Sequence, residues 1–272
     1  MKLNELNKLT GSLKSTTKMP VLFLGHGSPM NAIEDNEFSR SWQLAAKVIP
    51  RPLAVLCISA HWETRGTYVT AMQRPPTIHD FGGFPPALFD VQYPAPGDPA
   101  LAMDTKNAIT KTTVETDMNW GLDHGCWSVL KHMYPEADVP VIQLSLDYSQ
   151  PPRYHFELAG QLSALREKGV LVIGSGNMVH NLRVLDWHKP DDGFDWAKEA
   201  NAKIMKLILD GDFKQLFNYK SLGPEVERSV PTPEHFLPLI YALGLKEKNE
   251  GIAVFNDKLV MGAISMTSLQ IS

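Results

Sequence analysis

The sequence predicts a single α/β domain in which helices flank a central, mostly parallel or mixed sheet. Three short apolar runs, at residues 21–24, 53–60 and 170–174, have the length and composition of strands buried on both faces of such a sheet. Stretches with helical hydrophobic spacing separate these runs. A chain of 272 residues, 43% of them hydrophobic, is long enough to bury the core of one large domain.

Composition limits the classes of partner and the domain organisation. We interpret residues 1–18, which are polar and lack a secretion signal's apolar core, as a flexible N-terminal tail ahead of a catalytic domain at 19–272. The net charge of −4, without a Lys/Arg cluster, predicts no nucleic-acid partner, and no apolar span predicts a membrane partner. Two cysteines, Cys57 and Cys126, are too few for a disulfide framework, so we expect a cytoplasmic protein. We expect a monomer or a small homo-oligomer, and no residue pattern decides between them.

The first two predicted strands each end at a histidine. His26 lies between two glycines directly after the first strand, and His61 follows the second. A helix over 35–48, with Asp35 as its cap, connects the strands. A right-handed strand–helix–strand unit makes the two strands parallel, so both histidines leave the sheet at the same carboxyl edge, where ligands bind. This pattern predicts a metal site.

The middle of the chain combines regular elements with one long loop. The predicted elements are a strand at 68–72, a helix at 99–111, a strand at 113–116, a helix at 127–133, a strand at 139–146 and a helix at 151–168. The loop at 74–99 is rich in proline and glycine, which is typical of a lid or a pocket wall. His124 precedes the helix at 127–133, where a neutral ring can hydrogen-bond a substrate oxygen or simply begin the helix.

Two further histidines complete the candidate set. His180 lies just past the strand at 170–174, again at the carboxyl edge of the sheet. His235 is predicted in the first turn of a helix that Thr232 caps. The remaining predicted elements are a helix over 194–220 and closing strands at 253–255 and 263–266. His188, His132 and His155 are assigned to exposed or capping positions.

Several neutral imidazoles with few carboxylates suit Zn(II), Fe(II) or copper rather than magnesium or calcium. Oxygen chemistry at Fe(II) uses three protein ligands on one face, which leaves positions for a chelating catechol and for O2. A further histidine, either His180 or His124, would take the catechol proton and later return it.

Six motifs occur in the order of a known family. They are FLGHGSPM at 23–30, SAHW at 59–62, HDFGGFP at 79–85, DHG at 123–125, GNMVHNL at 176–182 and PTPEH at 231–235. Together they resemble the DOPA 4,5-dioxygenase (extradiol) group, and most closely its bacterial YgiD-like members. This group belongs to the class III extradiol ring-cleavage dioxygenases, which are related to the protocatechuate 4,5-dioxygenase β subunit. The resemblance runs from about residue 19 to the end of the chain.

The resemblance implies a mononuclear non-haem metal and cleavage of a catechol ring beside its hydroxyl pair. DOPA would open to an aldehyde that cyclises to a product of the betalamic-acid type. Position by position, His26 and His61 match the first two metal ligands, and His235 matches the third. His180 matches the acid/base histidine, which can act as a fourth ligand without substrate, and His124 matches the pocket histidine that steers substrate or oxygen.

One departure from the family pattern concerns the third ligand. The protocatechuate branch supplies a glutamate, whereas this chain has His235 at the matching position. Glu234 is adjacent, but successive helical residues point about 100° apart, so both are not expected to bind one metal. An all-histidine site holds Zn(II) well, so we expect Zn(II) in purified protein. We expect Fe(II) as the working metal, because zinc cannot exchange electrons with O2.

Two other functions remain open from the sequence. A zinc-dependent hydrolase could use the same histidine site to activate a water molecule. A non-catalytic binding protein of the same fold is the second alternative. For the dioxygenase, the expected partners are a small-molecule catechol and O2, and Arg74 and Arg183 are the candidates for holding a substrate carboxylate.

Overall fold

The computed structural model describes residues 18–272. Its strands are β1 (Val21–Gly25), β2 (Ala54–Ser59), β3 (Glu63–Thr64), β4 (Thr67–Thr70), β5 (Val114–Asp117), β6 (Val141–Gln143), β7 (Leu146–Asp147), β8 (Val170–Gly176), β9 (Ile252–Phe255), β10 (Leu259–Val260), β11 (Ile264–Ser265) and β12 (Ser268–Ile271). Its α-helices are α1 (Glu37–Val48), α2 (Pro86–Phe89), α3 (Pro99–Ala108), α4 (His124–Met133), α5 (Pro152–Gly160), α6 (Ser163–Glu167), α7 (Asp195–Leu209), α8 (Phe213–Leu216), α9 (Pro224–Ser229) and α10 (Leu237–Gly244). Short 3-10 helices lie at Pro29–Ala32, Leu182–Val184 and Tyr219–Leu222.

The central sheet has six strands in the order β6-β2-β8-β1-β12-β9. Strands β6, β2, β8 and β1 pair in parallel, and β12 pairs antiparallel with both β1 and β9. This mixed, mostly parallel sheet with flanking helices confirms the predicted fold class. Strands β1 and β2 are parallel, as predicted, but β8 lies between them. Its register places Gly25 opposite Gly176 and Ser59 opposite Ser175, so three strand ends meet at one edge.

Side chains of each central strand alternate between two apolar layers, as the pleat of a strand requires. In β1, Phe23 points into the layer that α5, α7 and α10 cover. Leu22 and Leu24 point into the opposite layer, where Trp42 of α1 and Trp127 of α4 are fully buried. Both faces of the sheet are therefore covered, and the open part of the sheet is its carboxyl edge.

Several predicted boundaries move because local hydrogen bonds decide them. Asn36, not Asp35, caps α1: its side chain accepts from the backbone of Phe38 and Ser39, and Ser39 bonds back. The predicted helix at 151–168 divides into α5 and α6, and the one at 194–220 divides into α7, α8 and a 3-10 turn.

The start of α10 corrects the predicted position of His235. The helix begins at Leu237, so His235 precedes it instead of lying in its first turn, and Thr232 is not its cap. Pro238 occupies a first-turn position, where the missing N–H needs no partner, and this fixes where the helix starts. The backbone of Phe236 and Leu237 instead turns by donating to the carbonyl of Pro233.

The closing strands are partly different from the prediction. The predicted strand at 253–255 is β9, but the one at 263–266 is reduced to β11, which pairs with β10 outside the central sheet. The strand that joins the sheet is β12, which the sequence analysis missed. Its Ser268 is buried and polar, and its hydroxyl accepts a hydrogen bond from the backbone of Gly25 at 3.1 Å.

The predicted tail lies outside the described residues except for Lys18. This lysine pairs with Glu247 at 2.8 Å and with Glu250 at 3.0 Å. Within residues 18–272, no helix combines the length and the apolar composition that a membrane crossing needs.

Arg166 of α6 ties the ends of the domain together. Its side chain is 1% exposed and donates to the carbonyls of Met19 at 2.8 Å and Leu245 at 2.9 Å. Both of its terminal nitrogens also bond the carboxylate of Glu250. Burial alone would raise the pKa of Glu250, but the bonds from Arg166 and others lower it to about 2.

We predict that Glu250→Gln lowers the free energy of unfolding by about 3 kcal/mol, since it leaves the Arg166 guanidinium buried without a counter-charge. Because folding lowers the pKa of Glu250, its ionised carboxylate stabilises the wild type fully above about pH 4.5, the ordinary pKa of a glutamate. This contribution disappears as the pH falls through about 2. The variant lacks that component of the acid sensitivity. Denaturant unfolding at several pH values measures both effects.

The control is Asp104→Asn, which removes an ion pair with Lys168 whose two side chains are each 51% exposed. Its cost should stay below about 1 kcal/mol. Equal losses in the two variants would show that the buried pair does not have the role assigned to it.

Candidate metal centre

Three strand ends bring histidines to the carboxyl edge of the sheet. His26 directly follows β1, and its backbone N–H bonds the carbonyl of Gly176 in β8 at 3.2 Å. His61 follows β2, and its Nε2 lies 3.2 Å from Nε2 of His26. His180 lies beyond β8, where its backbone N–H bonds the carbonyl of Ser229 at 2.9 Å.

These histidines share one cavity with His124 and His235. The cavity has a volume of about 380 Å³, which is within the usual range for small-molecule sites. His124 is the first residue of α4, and it contacts Asp80, which lies 44 residues earlier in the chain. His235 lies in the turn before α10, and its backbone carbonyl accepts from Asn177 at 2.8 Å.

The donor atoms form two groups within this cavity. One group consists of His26, His61 and His124, and the other consists of His180, Glu234 and His235. Within each group, the donor atoms lie within 4.8 Å of one another. The ring centroids of His61 and His235 are 5.0 Å apart, which joins the two groups. The rings of His180 and His235 stack at 3.5 Å. The ligand set implied by the resemblance thus draws His26 and His61 from one group and His235 and His180 from the other.

Burial keeps the imidazoles of His26, His61, His180 and His235 neutral. Desolvation, followed by repulsion from the neighbouring histidines, lowers the pKa of His26 and His235 well below the ordinary value. Burial also lowers the pKa of His61 to about 3 and that of His180 to about 4. Neutral imidazole is the form that binds a metal, because it retains a nitrogen lone pair.

A serine hydroxyl determines the tautomer of His26. The Oγ of Ser175 donates to the carbonyl of Gly125 at 2.5 Å, so it accepts from Nδ1 of His26 at 3.0 Å. The Nε2 of His26 is then unprotonated and faces Nε2 of His61. Two nitrogen lone pairs at this distance repel unless a proton or a cation lies with them, so the donor set fits a transition metal.

Asp80 is a site residue that the sequence analysis missed. Its carboxylate accepts from Nδ1 of His124 at 2.9 Å and from the backbone of His124 at 2.8 Å. It also lies 3.3 Å from Nδ1 of His61. Burial alone would raise the pKa of Asp80, but the hydrogen bond from His124 outweighs it and lowers the pKa. The sequence signal was a carboxylate in the long loop, in the HDFGGFP motif.

A second missed carboxylate, Asp123, positions His124. Asp123 is fully buried, and it accepts from Ser59 at 2.6 Å and from Gln143 at 2.6 Å. Burial raises its pKa. Its side chain also accepts from the backbone of Cys126 at 3.1 Å and so caps α4. The helix therefore begins at His124 and not at residue 127.

Glycines beside the histidines allow close packing. Gly27 has a φ of +61°, and a Cβ there would lie 2.4 Å from the sulfur of Met266. A Cβ on Gly125 would lie 2.9 Å from Cδ2 of His61. A side chain at either position would displace the segments that surround the cavity.

The remaining candidates lie elsewhere. Arg74 and Arg183 are not among the residues that line the cavity. His79 bonds the carbonyl of Val91 at 2.9 Å. His155 is fully buried against the Tyr241 hydroxyl at 3.2 Å, so its predicted exposed or capping position is wrong. It faces the apolar core because α5 packs against α10, the helix that carries Tyr241.

The fold and this cavity together define an α/β protein with a histidine-rich metal centre. Residues 18–267 match the family described as the catalytic LigB subunit of aromatic ring-opening dioxygenase, and the chain belongs to this family. The predicted family and the predicted class of enzyme are therefore confirmed.

Individual relatives agree with this assignment. The chain is 50% identical over 264 residues to the 4,5-DOPA dioxygenase extradiol of Escherichia coli strain K12, covering 95% of this chain and 97% of the relative. It is 35% identical to the Beta vulgaris protein of the same name, covering 90% of this chain and 94% of the relative. The crystal structure of an uncharacterized Escherichia coli K12 protein superposes with a TM-score of 0.81 at 43% identity, covering 93% of this chain and 100% of that one.

We predict that His61→Ala reduces bound metal by more than about tenfold while the protein remains folded, because the ring lies on the cavity edge and not in an apolar layer. Elemental analysis measures the metal, and circular dichroism measures the fold. His188→Ala, at an exposed loop position outside the cavity, is the matched control. Loss of the fold in His61→Ala would instead assign the ring to the core.

Proposed function

We propose that this protein is an extradiol dioxygenase that opens a catechol ring beside its hydroxyl pair with O2, and that DOPA is among its substrates. The observation that carries this proposal is the cluster of histidine side chains around one small cavity, among which burial keeps those of His26 and His235 neutral. The family match and the names of the relatives support the reaction and the aromatic substrate class.

His26, His61 and His235 are proposed to hold the metal, with His180 as a fourth ligand in the absence of substrate. Bound Fe(II) supplies the electron exchange with O2 that Zn(II), with its filled d shell, does not. We therefore propose Fe(II) as the working metal and Zn(II) as the metal found in purified protein. Both are compatible with imidazole donors.

His180 is proposed to accept the catechol proton and to return it later. Its pKa of about 4 keeps it unprotonated at neutral pH, so it is in the proton-accepting form. Stacking on His235 at 3.5 Å holds its ring beside the proposed ligand. His124 is proposed to steer the substrate or O2 from the opposite side of the cavity, where its ring lies 3.9 Å from that of His61.

Apolar side chains line the cavity together with the histidines. Phe81 and Phe84 of the long loop line it together with Ile264, while Phe89 contacts Phe81 from behind. Tyr93 is buried away from the cavity. The loop therefore forms a wall of the cavity, and its aromatic residues divide between lining and support. Such a wall excludes water from the reacting ring.

The cavity has little provision for an anionic substituent. Among its described lining residues, Asp80 is the one with a charged side chain, and none is lysine or arginine. A substrate carboxylate would enter this part of the site without a cationic partner, which costs desolvation energy. The enzyme should accordingly turn over neutral catechols in addition to DOPA.

We predict that anaerobic reconstitution with Fe(II), followed by 4-methylcatechol or L-DOPA and O2, gives oxygen uptake and a yellow ring-opened product. The Zn(II)-loaded protein should be inactive in the same assay, because zinc does not exchange electrons with O2. An oxygen electrode and absorbance spectroscopy measure the reaction. Ester hydrolysis by the zinc form, indifferent to O2, would instead establish the hydrolase alternative. Binding of catechol without turnover by any metal form would establish the binding protein.

We predict that His180→Ala retains metal but loses about 100-fold or more in kcat, since general acid–base catalysis typically contributes that much. Metal content and oxygen uptake are measured on the same preparation. His188→Ala again serves as the control, and unchanged turnover in His180→Ala would remove this residue from the acid/base role.

The cellular compartment is proposed from the two cysteines, and the oligomeric state is carried over from the sequence analysis. Cys57 and Cys126 are both free and buried, as in proteins of the reducing cytoplasm, and a cytoplasmic enzyme remains our prediction. A monomer or small homo-oligomer also remains a prediction.

A further inference from the structure

One acidic side chain of the long loop reaches the cavity from outside the sheet. Asp80 has 16% of its side chain exposed. Its Oδ2 lies 2.9 Å from Nδ1 of His124 and 3.3 Å from Nδ1 of His61, and its Oδ1 accepts the backbone N–H of His124. A single carboxylate thus faces the same ring nitrogen of two histidines.

This contact determines which nitrogen of each ring carries the proton. An ionised carboxylate oxygen can only accept hydrogen bonds, so Nδ1 of His124 must donate to it. At 3.3 Å the same negative charge favours a proton, and not a lone pair, on the facing Nδ1 of His61. In a neutral imidazole the other nitrogen is then unprotonated. The position of Asp80 therefore favours a lone pair on Nε2 of each ring, as the Ser175 hydroxyl does separately for His26.

We propose that Asp80 is a positioning residue that sets the tautomer and orientation of His61 and His124 together. Through His61 it prepares a metal donor, and through His124 it prepares a hydrogen-bond acceptor for the substrate. The expected effect on turnover rests on the proposed function. The tautomers do not, because they are properties of the protein itself.

Contacts other than the Asp80 carboxylate also hold this part of the loop in place. The backbone of Ile78 bonds the carbonyl of Leu122 at 2.7 Å, and Trp127 donates to the carbonyl of Ile78 at 2.8 Å. Phe81 packs edge-to-face on His124, with ring centroids 5.5 Å apart. A substitution of Asp80 that keeps its size should therefore leave the loop and the fold intact.

The experiment compares Asp80→Asn and Asp80→Glu with the wild type, and Asp90→Asn is the matched control. Asp90 is an exposed carboxylate of the same loop, outside the cavity. Histidine ring nitrogens are labelled with 15N in the zinc-loaded protein at neutral pH, and their NMR shifts report the tautomer of each ring. Assignment uses His61→Ala and His124→Ala, and thermal melting monitors the fold.

We expect Nδ1-protonated rings for His61 and His124 in the wild type and in Asp90→Asn. In Asp80→Asn, both rings should show loss of this single tautomer, and metal affinity should fall by about 10–100-fold at an unchanged melting temperature. Asp80→Glu should recover part of both properties, because it restores a carboxylate.

Two results would overturn the proposal. One is an Nε2-protonated ring at both histidines in the wild type, and the other is an unchanged pair of tautomers in Asp80→Asn. Failure of the proposed function is distinguishable, since it would appear as a wild-type protein without oxygen uptake but with the expected tautomers. In active enzyme, Asp80→Asn should lower kcat by at least about tenfold, whereas Asp90→Asn should not change it.

Discussion

The close approach of two imidazole nitrogens is the interaction on which the site depends. His26 and His61 bring their Nε2 atoms to 3.2 Å of each other, and burial keeps both rings neutral. Two lone pairs at this distance repel unless a proton on one ring or a bound cation lies with them. The strand ends hold the two rings at this distance, so a metal would find these donors already in place.

The sheet supplies that rigidity. The parallel register of β8 with β1 and β2 aligns the strand ends, and Ser175 is placed where its hydroxyl can hold Nδ1 of His26. On the other side, Asp123 caps α4 and so fixes the position of His124. Hydrogen-bond partners behind the rings therefore come from the sheet, a helix start and a loop. Together they direct the nitrogen lone pairs toward one cavity.

The division of the cavity between polar and apolar walls follows from the same arrangement. Histidines from strand ends and from the starts of helices line one part of the cavity, and Phe81 and Phe84 of the long loop line another. An aromatic ring that enters this cavity would meet apolar side chains from the loop and the proposed metal and proton acceptors among the histidines. This geometry suits a catechol, whose polar atoms all lie on one edge of a flat ring.

The sequence by itself determined the fold class, the parallel strand pair and the histidines at strand ends, because apolar runs and the glycines after them are local signals. Only the tertiary structure decided that β8 lies between β1 and β2, that β12 joins the sheet, and that His235 precedes its helix. It also decided that Asp80 lies against His61 and His124. That contact joins segments far apart in the chain, and no local pattern in one sequence encodes which carboxylate will meet which ring. The physical reason is that such pairs are fixed by packing of the loop on α4, which exists only after the sheet has formed.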